Sequence, residues 1–169
     1  ELQFEFGEEV AVLVRGLTKI VAIRENELIS SSSNEKLAAS ALTFRKMLLV
    51  SIEDVRVLII KLCDRLHNML TLGVLRPEKQ KRISEETLVV YAPIAHRLGI
   101  SSIKNILEDL SFKYLKPDVY NQVDHWLDRH QVVEKQIIDK VVRLIRDLLA
   151  DNQICGDVYG RIKHIYSIY

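Results

Sequence analysis

Cysteine, proline and tryptophan are scarce in this chain: two, three and one among 169 residues. Cys63 and Cys155 lie far apart without metal-type spacing, so neither a zinc ribbon nor a disulfide-rich secreted scaffold is indicated. A reducing, cytoplasmic setting fits that usage. Charge of one sign is lacking too. The 24 basic and 23 acidic residues leave a net charge of +1, so charge alone forces no nucleic-acid or membrane footprint on any face. No uncharged apolar run is long enough to span a bilayer, and no signal peptide is visible. What is present is an ordinary folded composition, 48% hydrophobic and 28% charged. The chain does not begin with Met and it ends within an apolar-periodic run, which reads as a piece of a longer protein.

The periodicity is helical almost throughout. Val10, Leu13, Val14 and Leu17 mark a first helix after the acids Glu8 and Glu9, with Gly16 as a stop or bend. Residues 24–33, with serine at each of positions 30–33, form a loop. Ser32 and Glu35 have capping-box spacing, with Asn34 as a rival cap, before a helix marked by Leu37, Ala41, Phe44 and Leu48. Residues 55–70 form a helix that Gly73 ends. Pro77 opens the next one, and Pro93 kinks or interrupts it. Ser101 or Ser102 caps a helix buried through Ile103, Ile106, Leu107, Leu110 and Tyr114. Pro117 starts a shorter helix buried through Val119, Val123, Trp126 and Leu127. A long amphipathic helix runs from about Val132 to Leu149, with Ile137, Ile138, Val141, Leu144, Ile145 and Leu148 facing in. Residues 154–160 are glycine-flanked and half-alternating, which predicts one strand and a new domain.

Residues 55–70 carry apolar side chains on nearly every side, so burial of the helix is expected, with Cys63 as a small core residue. One polar stripe interrupts it. Lys61, Asp64, Asn68 and Thr71 recur at spacings of three and four and share one edge, with Arg65 and His67 beside them. A buried carboxylate persists only when paired, hydrogen-bonded or bound to a metal. Asp64 therefore either pairs with Arg65, Arg56 or another cation, or ligates a divalent ion. Structural ion pairs explain buried acids as well as function does, so the residues alone favour pairing. Arg65 reads as an anchor, His67 as a hydrogen-bonded or surface residue, and His96, His125 and His130 offer no ligand pattern. The basic group Arg76, Lys79, Lys81 and Arg82 reads as a solvated helix face. Arg161, Lys163 and Ser167, between the expected strand and a helix start at Ile165, suit phosphate binding, with ordinary surface charge as the plain alternative.

Together these blocks resemble the RelA/SpoT family of guanosine tetra- and pentaphosphate synthetase-hydrolases. The resemblance runs through Phe6-Gly7-Glu8-Glu9-Val10, Lys61-Leu62-Cys63-Asp64-Arg65-Leu66-His67-Asn68-Met69 and Leu75-Arg76-Pro77-Glu78-Lys79-Gln80. It continues through Tyr91-Ala92-Pro93-Ile94-Ala95-His96-Arg97-Leu98-Gly99, through residues 107–115 and through residues 160–169. It implies an all-α fold, an HD-type helical hydrolase followed by a helical bundle, with one strand opening an α/β synthetase. On that reading residues 1–115 are the later hydrolase and bundle, 116–153 the connection, and 154–169 the synthetase start.

The resemblance also implies a chemistry. A manganese ion activates water against the 3′-diphosphate, with Asp64 as metal ligand and Asn68 and Thr71 lining the nucleotide pocket. It implies ATP contacts from Arg161, Lys163 and Ser167, with magnesium, ATP and GTP or GDP in the parent protein. Ribosome contact belongs to C-terminal regions. The family's His and His-Asp metal ligands lie before the Phe6-Gly7 block, so residues 1–169 alone are expected to bind manganese poorly. Leu70 stands where many members carry arginine, which alters substrate contact. A different class of function is a non-catalytic helical domain that regulates a synthetase.

Overall fold

The computed structural model describes residues 2–27, 49 and 54–169. The first helix continues through Arg24 to Glu27, where a loop is expected and no Gly or Pro stands to stop it. The serines at 30–33, the expected cap at Ser32 and the helix through Leu37 lie outside the described residues. Among the described residues every regular element is helical. In chain order these are α1 (Leu2–Glu27), α2 (Val55–Leu70), a 3₁₀ turn (Leu72–Val74) and α3 (Pro77–Glu86). A π-helical segment (Thr87–Tyr91), α4 (Ala92–Arg97), α5 (Ser101–Leu115), α6 (Pro117–Asp151) and α7 (Ile165–Ile168) follow. The chain forms two compact units, residues 1–115 and 116–169.

In the first unit α2 is the central wall. Asp54 starts it: its carboxylate accepts from the Arg56 backbone N–H at 2.9 Å and pairs with the Arg56 guanidinium at 2.8 Å. One face of α2, through Val57, Leu58, Leu62, Arg65 and Met69, is buried. It packs with Val90, Ala92, Ile94, Ala95 and Leu107 into one core. Each fully buried Leu or Val there contributes on the order of 2 kcal/mol. The expectation that α2 would be buried on nearly every side is corrected: Val55, Ile59, Ile60 and Leu70 are exposed, and so is Cys63. An amphipathic helix in a small unit has one core to face.

Gly16 acts differently from expectation. It neither stops nor bends its helix. It is buried where α1 crosses α2, and a Cβ there would stand 2.8 Å from Val57 Cγ2. The break in α1 lies instead at Gly7, whose φ of 83° is open to glycine at little cost. Pro93 likewise does not interrupt its helix. The five residues before α4 widen into a π-helical turn, in which the Ala92 N–H reaches the Thr87 carbonyl. Widening of this kind accommodates a residue that lacks an N–H and crowds the preceding turn. In α5, Leu107 is buried and Ile103, Leu110 and Tyr114 pack on the core, whereas Ile106 is exposed.

The second unit departs further. α6 is one continuous helix of 35 residues, not two. Nothing between residues 127 and 132 breaks it, since that stretch holds neither Gly nor Pro. Trp126, Ile137, Val141, Leu144, Ile145 and Leu148, expected to face inward, are exposed, whereas Val119, Val123, Leu127 and Ile138 are half-buried. The predicted strand does not form. The helix ends in a turn through Gln153 at φ 58°, closed by the Ile154 N–H on the Leu149 carbonyl at 2.9 Å. Residues 154–160 then lie back along α6. The Arg146 guanidinium donates to the Val158 carbonyl at 2.9 Å, and a Cβ on Gly160 would overlap Ile138. Half-alternation and flanking glycines indicate a strand only where a neighbouring strand supplies a ladder.

Two outcomes follow for the first unit. Gly16→Ala lowers the melting temperature in the natural background, because Val57 Cγ2 would stand 2.8 Å from the new Cβ and overpacking costs about 1–3 kcal/mol. With Val57→Ala the sign reverses, and the same change stabilises by up to about 1 kcal/mol through helix propensity. Thermal unfolding of the four proteins reads the reversal. Separately, the Arg56 side chain and backbone hold the Asp54 carboxyl below its ordinary value. Its contribution is present above the ordinary aspartate pKa and is lost as pH falls through the depressed folded value. Asp54→Asn flattens that acid limb in a pH series of denaturation curves.

Candidate functional site

The exposed edge of α2 forms one wall of a cavity of about 340 Å³ in the first unit. Lys61, Asp64, Arg65, Asn68 and Thr71 come from this wall and its C-cap, so the polar stripe seen in the spacing does line one cavity. The 3₁₀ turn and the residue after it supply Leu72, Val74 and Leu75, and α3 and the π-helical segment supply Ile83 and Tyr91. The lining thus combines charged and polar side chains with apolar ones.

Asp64 is not deep in the core. Half of its side chain is exposed, while Arg65 beside it is the buried charge, 5% exposed. The Lys61 ammonium donates to Asp64 Oδ2 at 2.8 Å, and Asn68 Nδ2 donates to Oδ1 at 3.3 Å. The bond from Lys61, above all, holds the Asp64 carboxyl below its ordinary value, against a smaller opposing effect of burial. Asp64 is therefore a fixed negative charge near neutral pH and not a proton donor. Its partner is Lys61, three residues back on the same helix, and not Arg56 or Arg65. Arg56 is taken by Asp54, and Arg65 Nη2 lies 3.2 Å from Glu86 Oε2 with its guanidinium 3.9 Å above the Tyr91 ring. Arg65 is the anchor that its place in the pattern suggests.

Thr71 is both lining residue and helix end. Its hydroxyl donates to the His67 carbonyl at 3.0 Å, which fixes where α2 stops and the 3₁₀ turn begins. The turn is held from the other side by Gln80. Its Nε2 donates to the Leu75 carbonyl at 2.8 Å and lies 3.3 Å from the carbonyls of Leu72 and Gly73. Sequence reasoning missed Gln80, Glu86 and Tyr91. Only the burial of Arg65 could have asked for an acid and an aromatic partner, and spacing along α2 does not say where they come from. His67 and Leu70 are exposed.

In the second unit Arg161, Lys163 and Ser167 are exposed, and the Ser167 hydroxyl lies 2.9 Å from His164 Nδ1. A shallow groove of about 350 Å³ there is lined by Ile138, Arg143, Arg146, Tyr159 and Gly160 among others, and not by those three.

Among the described residues no three His, Cys, Asp or Glu side chains come together as a metal site. Asp64 offers one carboxylate, already facing an ammonium, and the neighbouring Asn68 and Thr71 are neutral. This donor set does not by itself fit a divalent ion, which needs four to six ligands.

An HD domain family model matches residues 1–101. HD domains imply a divalent metal ion, so the incompleteness of the donor set concerns the described residues alone. Over all 169 residues the chain is 45% identical to a GTP pyrophosphokinase of Myxococcus xanthus and covers 22% of that protein. It is 41% identical, again along its whole length, to a guanosine-3′,5′-bis(diphosphate) 3′-pyrophosphohydrolase of Haemophilus influenzae, covering 24% of it. Over 97% of its length it is 43% identical to the bifunctional (p)ppGpp synthase/hydrolase SpoT of Escherichia coli, covering 22% of it. The chain thus spans less than a quarter of each of these relatives. No described helix is long and apolar enough to cross a membrane.

The two neighbouring charges on α2 differ sharply in what they support. Arg65→Ala destabilises by about 2 kcal/mol or more, because it takes a buried side chain out of the core, a cation from the half-buried Glu86 and a stacked plane from the Tyr91 ring. Arg65→Lys recovers only part of this, lacking the planar fork. Asp64→Ala changes stability by no more than about 1 kcal/mol, the scale of an exposed ion pair. Urea denaturation of the three variants measures the contrast.

Proposed function

We propose, from the premise that the chain belongs to the HD domain family, that it carries part of an alarmone hydrolase. The reaction is hydrolysis of guanosine 3′,5′-bis(diphosphate): water adds at the 3′-diphosphate, the bond between that phosphorus and the ribose 3′-oxygen breaks, and GDP and pyrophosphate leave. The observation that carries this reading is the shared wall of Lys61, Asp64, Asn68 and Thr71 in a cavity lined by both charged and apolar side chains. That mixed lining suits a nucleotide, whose phosphates need cations and donors and whose base needs apolar contact. The names of the relatives point to the same substrate.

The chain's residues have separate tasks in this proposal. Asp64 stays ionised and would serve as one ligand of a divalent ion, manganese, whose other ligands would come from residues other than those described. Bound there, such an ion makes water nucleophilic near neutral pH. Asn68 and Thr71 line the nucleotide pocket. The Tyr91 ring, held under Arg65, and the 3₁₀ turn, held by Gln80, keep the apolar lining in shape. Residues 116–153 are the proposed connection, and residues 154–169 the start of a GTP pyrophosphokinase domain. There Arg161, Lys163 and Ser167 contact ATP, and magnesium serves the transfer to GTP or GDP. The location is cytoplasmic, where these nucleotides are.

In the full-length protein Asp64→Ala lowers release of pyrophosphate from guanosine tetraphosphate by at least about a hundredfold, with little change in melting temperature. Wild-type turnover in that variant overturns the assignment. A wild-type protein that binds but never hydrolyses the nucleotide favours the regulatory domain instead.

A further inference from the structure

The Asp64 carboxylate is half exposed and lines the cavity, so a polyanion bound there meets a like charge. At a few ångströms, like charges repel strongly unless a cation lies between them. The lining residues supply two cations, Lys61 and Arg65. Arg65 is committed elsewhere: its guanidinium is 5% exposed, lies 3.2 Å from Glu86 and covers the Tyr91 ring. Lys61 is the other. Its side chain is 16% exposed, and its ammonium sits 2.8 Å from Asp64 Oδ2. An ammonium has three N–H donors and this bond uses one.

We infer that Lys61 is an anion-binding residue of the cavity, bridging the Asp64 carboxylate and a phosphoryl oxygen of a bound diphosphate. The inference rests on the hydrolase reading for the identity of the nucleotide and extends it to a residue with a second task. On one side Lys61 fixes the carboxylate. On the other it offsets the repulsion that the carboxylate imposes on the diphosphate. The i, i+3 spacing makes this possible, since it places the ammonium beside the acid on one helix face. A lysine that merely neutralised Asp64 would weaken diphosphate binding on removal only by unmasking that carboxylate. In an Asp64→Asn background Lys61→Met would then leave pyrophosphate binding unchanged and overturn the inference, whereas a direct contact loses affinity there too.

The test uses the full-length protein with Lys61→Met and Lys61→Arg, and with Lys61→Met in the Asp64→Asn background. Its readouts are the KM for guanosine tetraphosphate, calorimetric binding of inorganic pyrophosphate, and thermal unfolding. Lys61→Met is expected to weaken both KM and pyrophosphate binding by roughly tenfold or more, the worth of one charge-assisted hydrogen bond, at an almost unchanged melting temperature. Lys61→Arg is expected to restore most of both. Unchanged pyrophosphate binding in Lys61→Met, or a wild-type protein that does not bind pyrophosphate, overturns the inference. If Lys61→Met fails to fold, Lys61→Gln, which keeps a polar tip without the charge, is read in its place. A wild-type protein that binds pyrophosphate but does not hydrolyse the nucleotide refutes the hydrolase reading, while the binding comparison still decides the role of Lys61.

Discussion

The first unit depends on a guanidinium taken out of water. Arg65 is the one buried charged residue among those described, and it is held by a carboxylate from the end of α3 and a ring from the π-helical segment. A buried pair of this kind adds little over an apolar core of equal shape, but losing one partner is costly. Its value here is geometric. Glu86 and Tyr91 lie on either side of the change from α to π geometry, and both reach the same side chain on α2. The wall carrying Asp64 and the wall carrying Tyr91 are thereby tied at one point, and the cavity lies between them.

Secondary supports work from the backbone. The Thr71 hydroxyl caps α2, and the Gln80 amide gathers the carbonyls of the turn that follows. Carbonyls at a helix end need partners, and here side chains provide them in place of water. Neither contact is strong alone. Together they set where the apolar lining of the cavity stands relative to the charged edge of α2.

Local order was readable in the chain and distant pairing was not. The spacing of Lys61, Asp64, Asn68 and Thr71 suffices to place them on one edge, because all lie on one helix and its cap. The helical class, the N1 position of Pro77 and the anchoring part of Arg65 could be read in the same way. The partners of Arg65 lie more than twenty residues away, and no period connects them. Gly16 shows the same limit: a glycine within a helical pattern reads as a stop, yet it marks the place where another helix comes close. The strand expected at residues 154–160 failed for a related reason, since alternation describes a surface and not the partner that makes it a sheet. The exposed apolar positions on α6 carry a regular pattern as well, and the pattern does not say what covers them.

The exposure of Asp64 changes the ground on which its function stands. Burial of a carboxylate in an apolar helix would by itself have demanded a compensating cation. Asp64 makes no such demand, because solvent and Lys61 satisfy it at little cost. The case for its role passes from energetics to position: it lines a cavity whose walls are fixed by costly buried contacts. A side chain that contributes little to stability, placed among neighbours that contribute much, is free to serve a ligand. Lys61 shares that freedom, and Arg65, one residue further along, does not. On α2 the division between holding the fold and meeting a substrate thus runs between adjacent residues.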